Sequence, residues 1–234
     1  MVWAALADLV LPAECAGCRE PHVPLRRGAC ARCAAALSAL RPRSVRPEPA
    51  PAGLPGCVAV GFYEGPLREA LLAYKEHGRA SLAAPLGAML AEAVAAAAGG
   101  ARRPVLLLPV PSTAAAARAR HGDHMARLAG HTARVLRTAG WPAAVARPLR
   151  ARPKPDSAHL DSAQRAIAAG EAFGPRAIGA PRTRRAAAGR AVVVVDDIVT
   201  TGATLAAVAT VLGRRGIRVD AAAVLAATRR RHPL

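Results

Sequence analysis

Ala191 to Thr204 reads AVVVVDDIVTTGAT. Ala191 and the four valines after it form a short apolar run rich in β-branched residues, which suits a strand covered on both faces, as in the middle of a parallel sheet. Two acids follow, Asp196 and Asp197, then Ile198 and Val199. Thr200, Thr201, Gly202, Ala203 and Thr204 make a loop of small and hydroxyl residues, and the Ala/Leu/Val-rich segment beyond it reads as a helix. The order is therefore buried strand, paired carboxylates, loop, helix N-terminus.

Each part has a chemical use. In an open α/β sheet a ligand sits beyond the carboxyl ends of the strands, where this loop falls. The first turn of a helix has unpaired N–H groups and the positive end of its dipole, and so receives a phosphate. Gly202 lets the backbone approach closely, and Thr200, Thr201 and Thr204 add hydroxyl donors. Asp196 and Asp197 repel a phosphate; they suit sugar hydroxyls, or Mg2+ held through water. A ligand with phosphate at one end and a ribose diol beside it fits both halves.

Working outward, the helix after the loop ends near Gly213 to Gly216, Ile217 to Ala226 reads as the last strand, and Arg229 to His232 is a basic tail. Upstream, Cys57 to Tyr63, Pro104 to Val110 and Ala143 to Leu149 read as further strands. Helices are expected from Pro66 to His77, from Leu82 to Ala98 and from Asp161 to Ala172, with Arg150 to His159 a loop and Arg182, Arg184 and Arg185 in an irregular basic stretch. Strands alternating with helices argue for an α/β fold with a mostly parallel sheet and flanking helices. Residues 41–55 are proline-rich without periodicity, a linker. The expected organisation is 1–40, an N-terminal helix (Met1 to Leu11) and a cysteine module; 41–55, the linker; and 56–234, the large domain.

Cys15-Ala16-Gly17-Cys18 and Cys30-Ala31-Arg32-Cys33 are two CxxC pairs separated by eleven residues. Two such knuckles can place four thiolates tetrahedrally about Zn2+; two redox dithiols or free thiols would give the same letters. With all four positions cysteine, the site is closed, and the expected role is architecture or docking rather than catalysis. His22 is a spare candidate ligand, and Cys57 reads as a small apolar residue near a strand start.

Lys75 and Arg79, in AYKEHGR, carry charge that suits a phosphate or pyrophosphate, or equally a helix C-terminus with a glycine cap. Arg118 and Arg120 follow the strand that ends in Pro109-Val110-Pro111-Ser112; guanidinium forks bind phosphate oxygens in pairs, and surface arginines on a helix would look the same.

The chain carries 33 Lys and Arg against 15 Asp and Glu, a formal charge of +18, and only Lys75 and Lys154 are lysines. Such a protein associates with polyanions, nucleic acid first among them; an Ala/Arg coding bias with solvated charge gives the same letters. No stretch reads as long and apolar enough to cross a bilayer, so no membrane insertion is expected. Met1 to Leu11 has no basic residue ahead of it and makes a poor signal peptide, which leaves a cytoplasmic location as the expectation.

VVVVDDIVTTGAT resembles the phosphoribosyl pyrophosphate (PRPP) signature of type I phosphoribosyltransferases. Together with the CxxC…CxxC knuckle, AYKEHGR, LLLPVPS followed by RARHGDH, and LDSAQR with Phe173 beyond it, the chain resembles the competence-associated ComF family over nearly its full length. It departs from that family's usual pattern at His121, Ser157 and Ala168. The resemblance implies a type I phosphoribosyltransferase-like fold and transfer of a phosphoribosyl group from PRPP to a nucleophile, commonly a base nitrogen, with release of pyrophosphate and with Mg2+ as cofactor. Asp196 and Asp197 would then hold the ribose diol and Mg2+, Thr200 to Thr204 the 5′-phosphate, and Lys75, Arg79, Arg118 or Arg120 the pyrophosphate. It also implies two other readings, a DNA-uptake protein working with DNA and competence-machinery partners, and a PRPP-sensing regulator.

Overall fold

The Ala191–Val199 strand is central in the sheet. A computed structural model of the chain describes residues 14–119, 122–152, 172–176 and 179–229. Its strands are β1 (Arg43–Val45), β2 (Cys57–Phe62), β3 (Val105–Pro109), β4 (Ala143–Val145), β5 (Leu149–Ala151), β6 (Phe173–Pro175), β7 (Ala191–Val199) and β8 (Ala221–Ala227). Its helices are α1 (Ala31–Ser38), α2 (Gly65–Lys75), α3 (Ala83–Ala97), α4 (Ala114–Ala119), α5 (His124–Thr138), α6 (Gly179–Ala187) and α7 (Ala203–Gly213). The main sheet runs β1-β2-β8-β7-β3-β4. All of its pairs are parallel except β1 with β2.

Alternation along β7 explains the unbroken valine run. Val193 and Val195 enter one core with Leu71, Leu90 and Leu128, from α2, α3 and α5. Val192 and Val194 enter the other with Leu205, Val208 and Leu212, from α7. A strand buried on both faces has no polar position to spare, and each fully buried valine contributes about 1.5–3 kcal/mol relative to exposure. β8 (AAAVLAA) is buried at every position.

The connections place the site. From β3 the chain passes through α4 and α5 to β4, on one side of β3; from β7 it passes through α7 to β8, on the far side of β7. β3 and β7 are neighbours whose onward connections diverge, so a crevice opens at their carboxyl ends.

Several expectations change. Ala143 to Leu149 is not one strand: Pro148 has no N–H to give a ladder, and the chain re-forms as β5, antiparallel to β6. The stretch holding Arg182, Arg184 and Arg185 is helix α6, with Pro181 near its start and the three arginines exposed; Ala and Arg are strong helix formers. Residues 41–55 are not a free linker, since Arg43, Ser44 and Val45 pair with Ala59, Val58 and Cys57. Leu54 and Pro47 also pack on Gly202, as set out below. Ala80–Ala97 is, by length and a mean hydropathy of 1.5, apolar enough to span a membrane, against the expectation from sequence. Here it carries α3, whose Leu86, Leu90 and Val94 lie in the core. The helices expected at Met1 to Leu11 and Asp161 to Ala172 lie outside the described residues, apart from Ala172, which is in a turn.

Candidate functional site

A cleft of about 410 Å3 occupies the crevice between β3 and β7. Lys75 from the last turn of α2, Val110 to Thr113 after β3, His124 at the start of α5, and Asp196, Asp197, Thr200 and Thr204 from β7 and its loop line it. Four separate segments thus converge where the topology opens the sheet.

Asp197 is the buried anchor, 5 % exposed. Its Oδ2 lies 2.8 Å from Lys75 Nζ and 3.4 Å from His124 Nε2. The Lys75 contact is an ion pair, the His124 contact becomes one only when the ring is protonated, and Oδ2 has no hydrogen-bond partner among the described residues. Burial alone would raise this carboxyl; contact with His124 and Lys75 reverses the sign and holds it below the usual carboxylate range. Asp196 moves the other way, pushed well above that range by burial and then by the charge of Asp197. Its Oδ1 accepts the Asp197 backbone N–H at 2.9 Å. Two adjacent acids are thereby set apart, one favoured as carboxylate and one shifted toward its protonated form.

His124 is fixed on several sides. Its Nδ1 lies 3.2 Å from Ser112 Oγ, and its backbone carbonyl accepts the Tyr74 hydroxyl at 2.7 Å. Asp123 caps α5, accepting the Ala126 N–H at 3.0 Å, and pairs with Arg147. His124 and Ser112 close the RARHGDH and LLLPVPS segments, but those letters give neither a role; the two meet, and His124 reaches Asp197, once α5 packs beside β7.

The loop after β7 leads straight into α7. Gly202 is the N-cap of α7 at φ 76°, a left-handed conformation that favours glycine. Gly202 itself offers no side chain to cap α7, which leaves the N–H groups of its first turn beyond Ala203 without a capping side chain from the N-cap. Thr201 Oγ1 accepts the Ala203 N–H at 3.4 Å. A Cβ on Gly202 would come within 3.0 Å of both Leu54 methyls and 3.5 Å of Pro47 Cγ, so the proline-rich stretch forms the back of the loop. Thr200, Thr201 and Ala203 also border a second cavity of about 520 Å3, which Arg46, Thr228 and Arg229 share.

Of the basic candidates, Lys75 is in the cleft, paired with Asp197. Arg79 is not. Its Nη1 donates to the Glu14 carbonyl at 2.7 Å and its Nη2 to the Gly28 carbonyl at 3.4 Å, so the charge expected for pyrophosphate is directed at backbone of the cysteine module. Arg118 is exposed on α4 and is absent from the cleft lining. Arg120 lies outside the described residues.

The four cysteines of that module do meet. The Sγ atoms of Cys15, Cys18, Cys30 and Cys33 all lie within 4.8 Å of one another, and Cys18 and Cys30 are 3.9 Å apart. Tetrahedral zinc with Zn–S bonds of about 2.3 Å puts its sulfurs about 3.8 Å apart. The electrostatics agree: burial raises Cys15, but N–H groups of Cys30, Gly17 and Cys18 bring it down to about 6, whereas burial and the neighbouring thiols push Cys33 up to about 12. Four thiolates this close need a cation among them, and the donor set fits a structural zinc. His22 is not part of this cluster.

Residues 127–233 match the family model described as phosphoribosyl transferase domain. The match begins in α5 and contains β4, β7, the acids, the loop, α7 and β8. No curated protein was found to match the chain.

Proposed function

We propose that the cleft binds PRPP and that the protein transfers its phosphoribosyl group to a nitrogenous base, releasing pyrophosphate. One observation carries this reading: an acid pair of opposed ionisation lies beside an uncapped helix N-terminus at the switch point of a parallel sheet. The match of residues 127–233 to a phosphoribosyl transferase domain supports it.

In this reading the 5′-phosphate lies on the loop, taking the α7 N–H groups and the Thr200, Thr201 and Thr204 hydroxyls. Asp196 and Asp197 accept from the ribose hydroxyls. Lys75 is held within reach of the leaving pyrophosphate and offers it positive charge as the C1′–O bond breaks. The acid pair also suits a hydrated divalent cation, and Mg2+ brought with PRPP would neutralise charge on the leaving group. Most of the catalysis is positioning and electrostatics, which needs no nucleophile from the protein.

The test is calorimetric titration of the zinc-loaded protein with Mg-PRPP beside the Asp196→Asn/Asp197→Asn variant, followed by pyrophosphate release with a panel of bases. Binding lost in the variant and release with at least one base support transfer. Binding without release for any base points instead to PRPP sensing. No binding by the wild type removes the reading, and leaves the +18 charge and a salt-dependent nucleic-acid role as what remains to test.

A further inference from the structure

We propose that Arg79 is a positioning residue that transmits closure of the cysteine knuckle to Lys75, so that metal loading of the knuckle and ligand binding in the cleft are thermodynamically linked. This rests on the PRPP reading of the cleft.

The knuckle grips α2 at both ends. At the start of α2, a Cβ on Gly17 would lie 3.2 Å from Pro66 Cβ, and Arg19 pairs with Glu69 at 2.8 Å. Just past its end, Gly78 at φ 66° turns the chain, and the Arg79 N–H bonds back to the Ala73 carbonyl at 3.1 Å. The Arg79 backbone is therefore tied to the last turn of α2, the turn that carries Lys75.

The side chain of Arg79 reaches the other way. Of its two acceptors, the Glu14 carbonyl immediately precedes Cys15. The Gly28 carbonyl also accepts the Ala16 N–H at 2.9 Å, a bond that ties one CxxC arm to the other. Arg79 thus bonds to the backbone group that closes the knuckle. A Cβ on Gly28 would sit 2.9 Å from Leu82 Cδ2, so the fit continues in apolar contact. Ala16 belongs to the same core as Leu71 and Leu82, which makes the knuckle continuous with the large domain. The buried face of α2 (Leu67, Ala70, Leu71 and Tyr74) holds the helix on the sheet. Arg79 sets the end from which Lys75 extends.

Two sites linked in this way must affect each other equally. Removing zinc with a chelator, or replacing Arg79 by Met, is expected to weaken Mg-PRPP binding by roughly 5–10-fold, at the lower end of ordinary coupling. Saturating Mg-PRPP should raise the affinity of the wild-type knuckle for Zn2+, read by chelator competition, by the same factor as zinc raises the affinity for PRPP. A merely structural arginine would lower stability without that reciprocity. The path is tested by a double-mutant cycle on PRPP affinity: Arg79→Met and Lys75→Met should cost together no more than the larger of the two alone. Glu69→Gln, at the other end of α2, gives a second break should Arg79→Met not fold. Equal PRPP affinity with and without zinc, no effect of PRPP on zinc affinity, or additivity of the Arg79 and Lys75 effects overturns the proposal. Failure of the zinc-loaded wild type to bind Mg-PRPP at all overturns the reading beneath it, and is told apart because no variant is then needed.

Discussion

Lys75 Nζ sits 2.8 Å from Asp197 Oδ2, joining the last turn of α2 to the end of the central strand. A lysine and an acid 122 positions apart (197 − 75) are thus one electrostatic unit in the cleft. In the proposed reading, a ligand that drew Lys75 toward pyrophosphate would leave Asp197 free to turn to sugar hydroxyls, with His124 still against the carboxylate.

Removing one partner exposes what the pair is worth. Lys75→Met leaves Asp197 buried with less compensation, and should lower stability by about 1–3 kcal/mol. That is below the cost for a fully buried pair because the Lys75 side chain is 28 % exposed. Adding Asp197→Asn should recover part of the loss. Urea unfolding of the two single variants and the double variant checks both; a double variant as unstable as the sum of the singles would deny the pairing.

The acids set a pH dependence with opposite signs. Asp196 has a raised pKa in the folded state, so the fold binds a proton that the unfolded chain has released, and stability is lost as pH rises from the ordinary carboxylate range (about 4) through the raised value. Asp197 has a depressed pKa, so its contribution is present above the ordinary range and is lost only as pH falls through the depressed value. Asp196→Asn should therefore raise the melting temperature at pH 8 but hardly at pH 4. Melting curves at the two pH values decide it, and equal shifts at both would count against a raised Asp196.

Gly202 answers to two constraints at once. Alanine there meets a left-handed φ, worth about 1–2 kcal/mol, and both Leu54 methyls at 3.0 Å. Gly202→Ala should be destabilised by more than the backbone cost, and Leu54→Ala added to it should restore only the steric part. Thermal unfolding of the two singles and the double separates these contributions.

The knuckle predicts a metal count and a reactivity pattern. The purified chain should carry one zinc, measured by mass spectrometry of the metal, and Cys33→Ser should lose it. Cys57, buried and pushed up to about 12 by burial and by Asp196, should react slowly with a thiol reagent until the chain unfolds. Rapid labelling of a thiol in the zinc-loaded native protein would contradict this.

Much of the architecture was legible because it rests on period and residue class. The β-branched valine run suits a doubly covered strand, and two CxxC arms suit one closed four-thiolate site. The cleft was half legible. Asp196, Asp197 and the loop are contiguous in sequence, but His124 and Ser112 reach the site only through the packing of α5 and the turn after β3. The letters around Arg79 left two roles open because they give a charge and not its acceptor, and in the structure its acceptors are the Glu14 and Gly28 carbonyls. Residues 41–55 misled for a related reason, since proline marks an edge strand as readily as a linker, and β1 is an edge strand.

The pairing of β1 with β2 changes what counts as a removable part. A fragment beginning at Gly56 would seem to keep the whole ligand-binding half, yet it would uncover the outer edge of β2 along Cys57, Val58 and Ala59. Bare strand edges recruit other chains. Such a fragment should self-associate as it folds, and should also lose Leu54 from behind Gly202. What looks in the sequence like a spacer is the edge guard that keeps the sheet solitary.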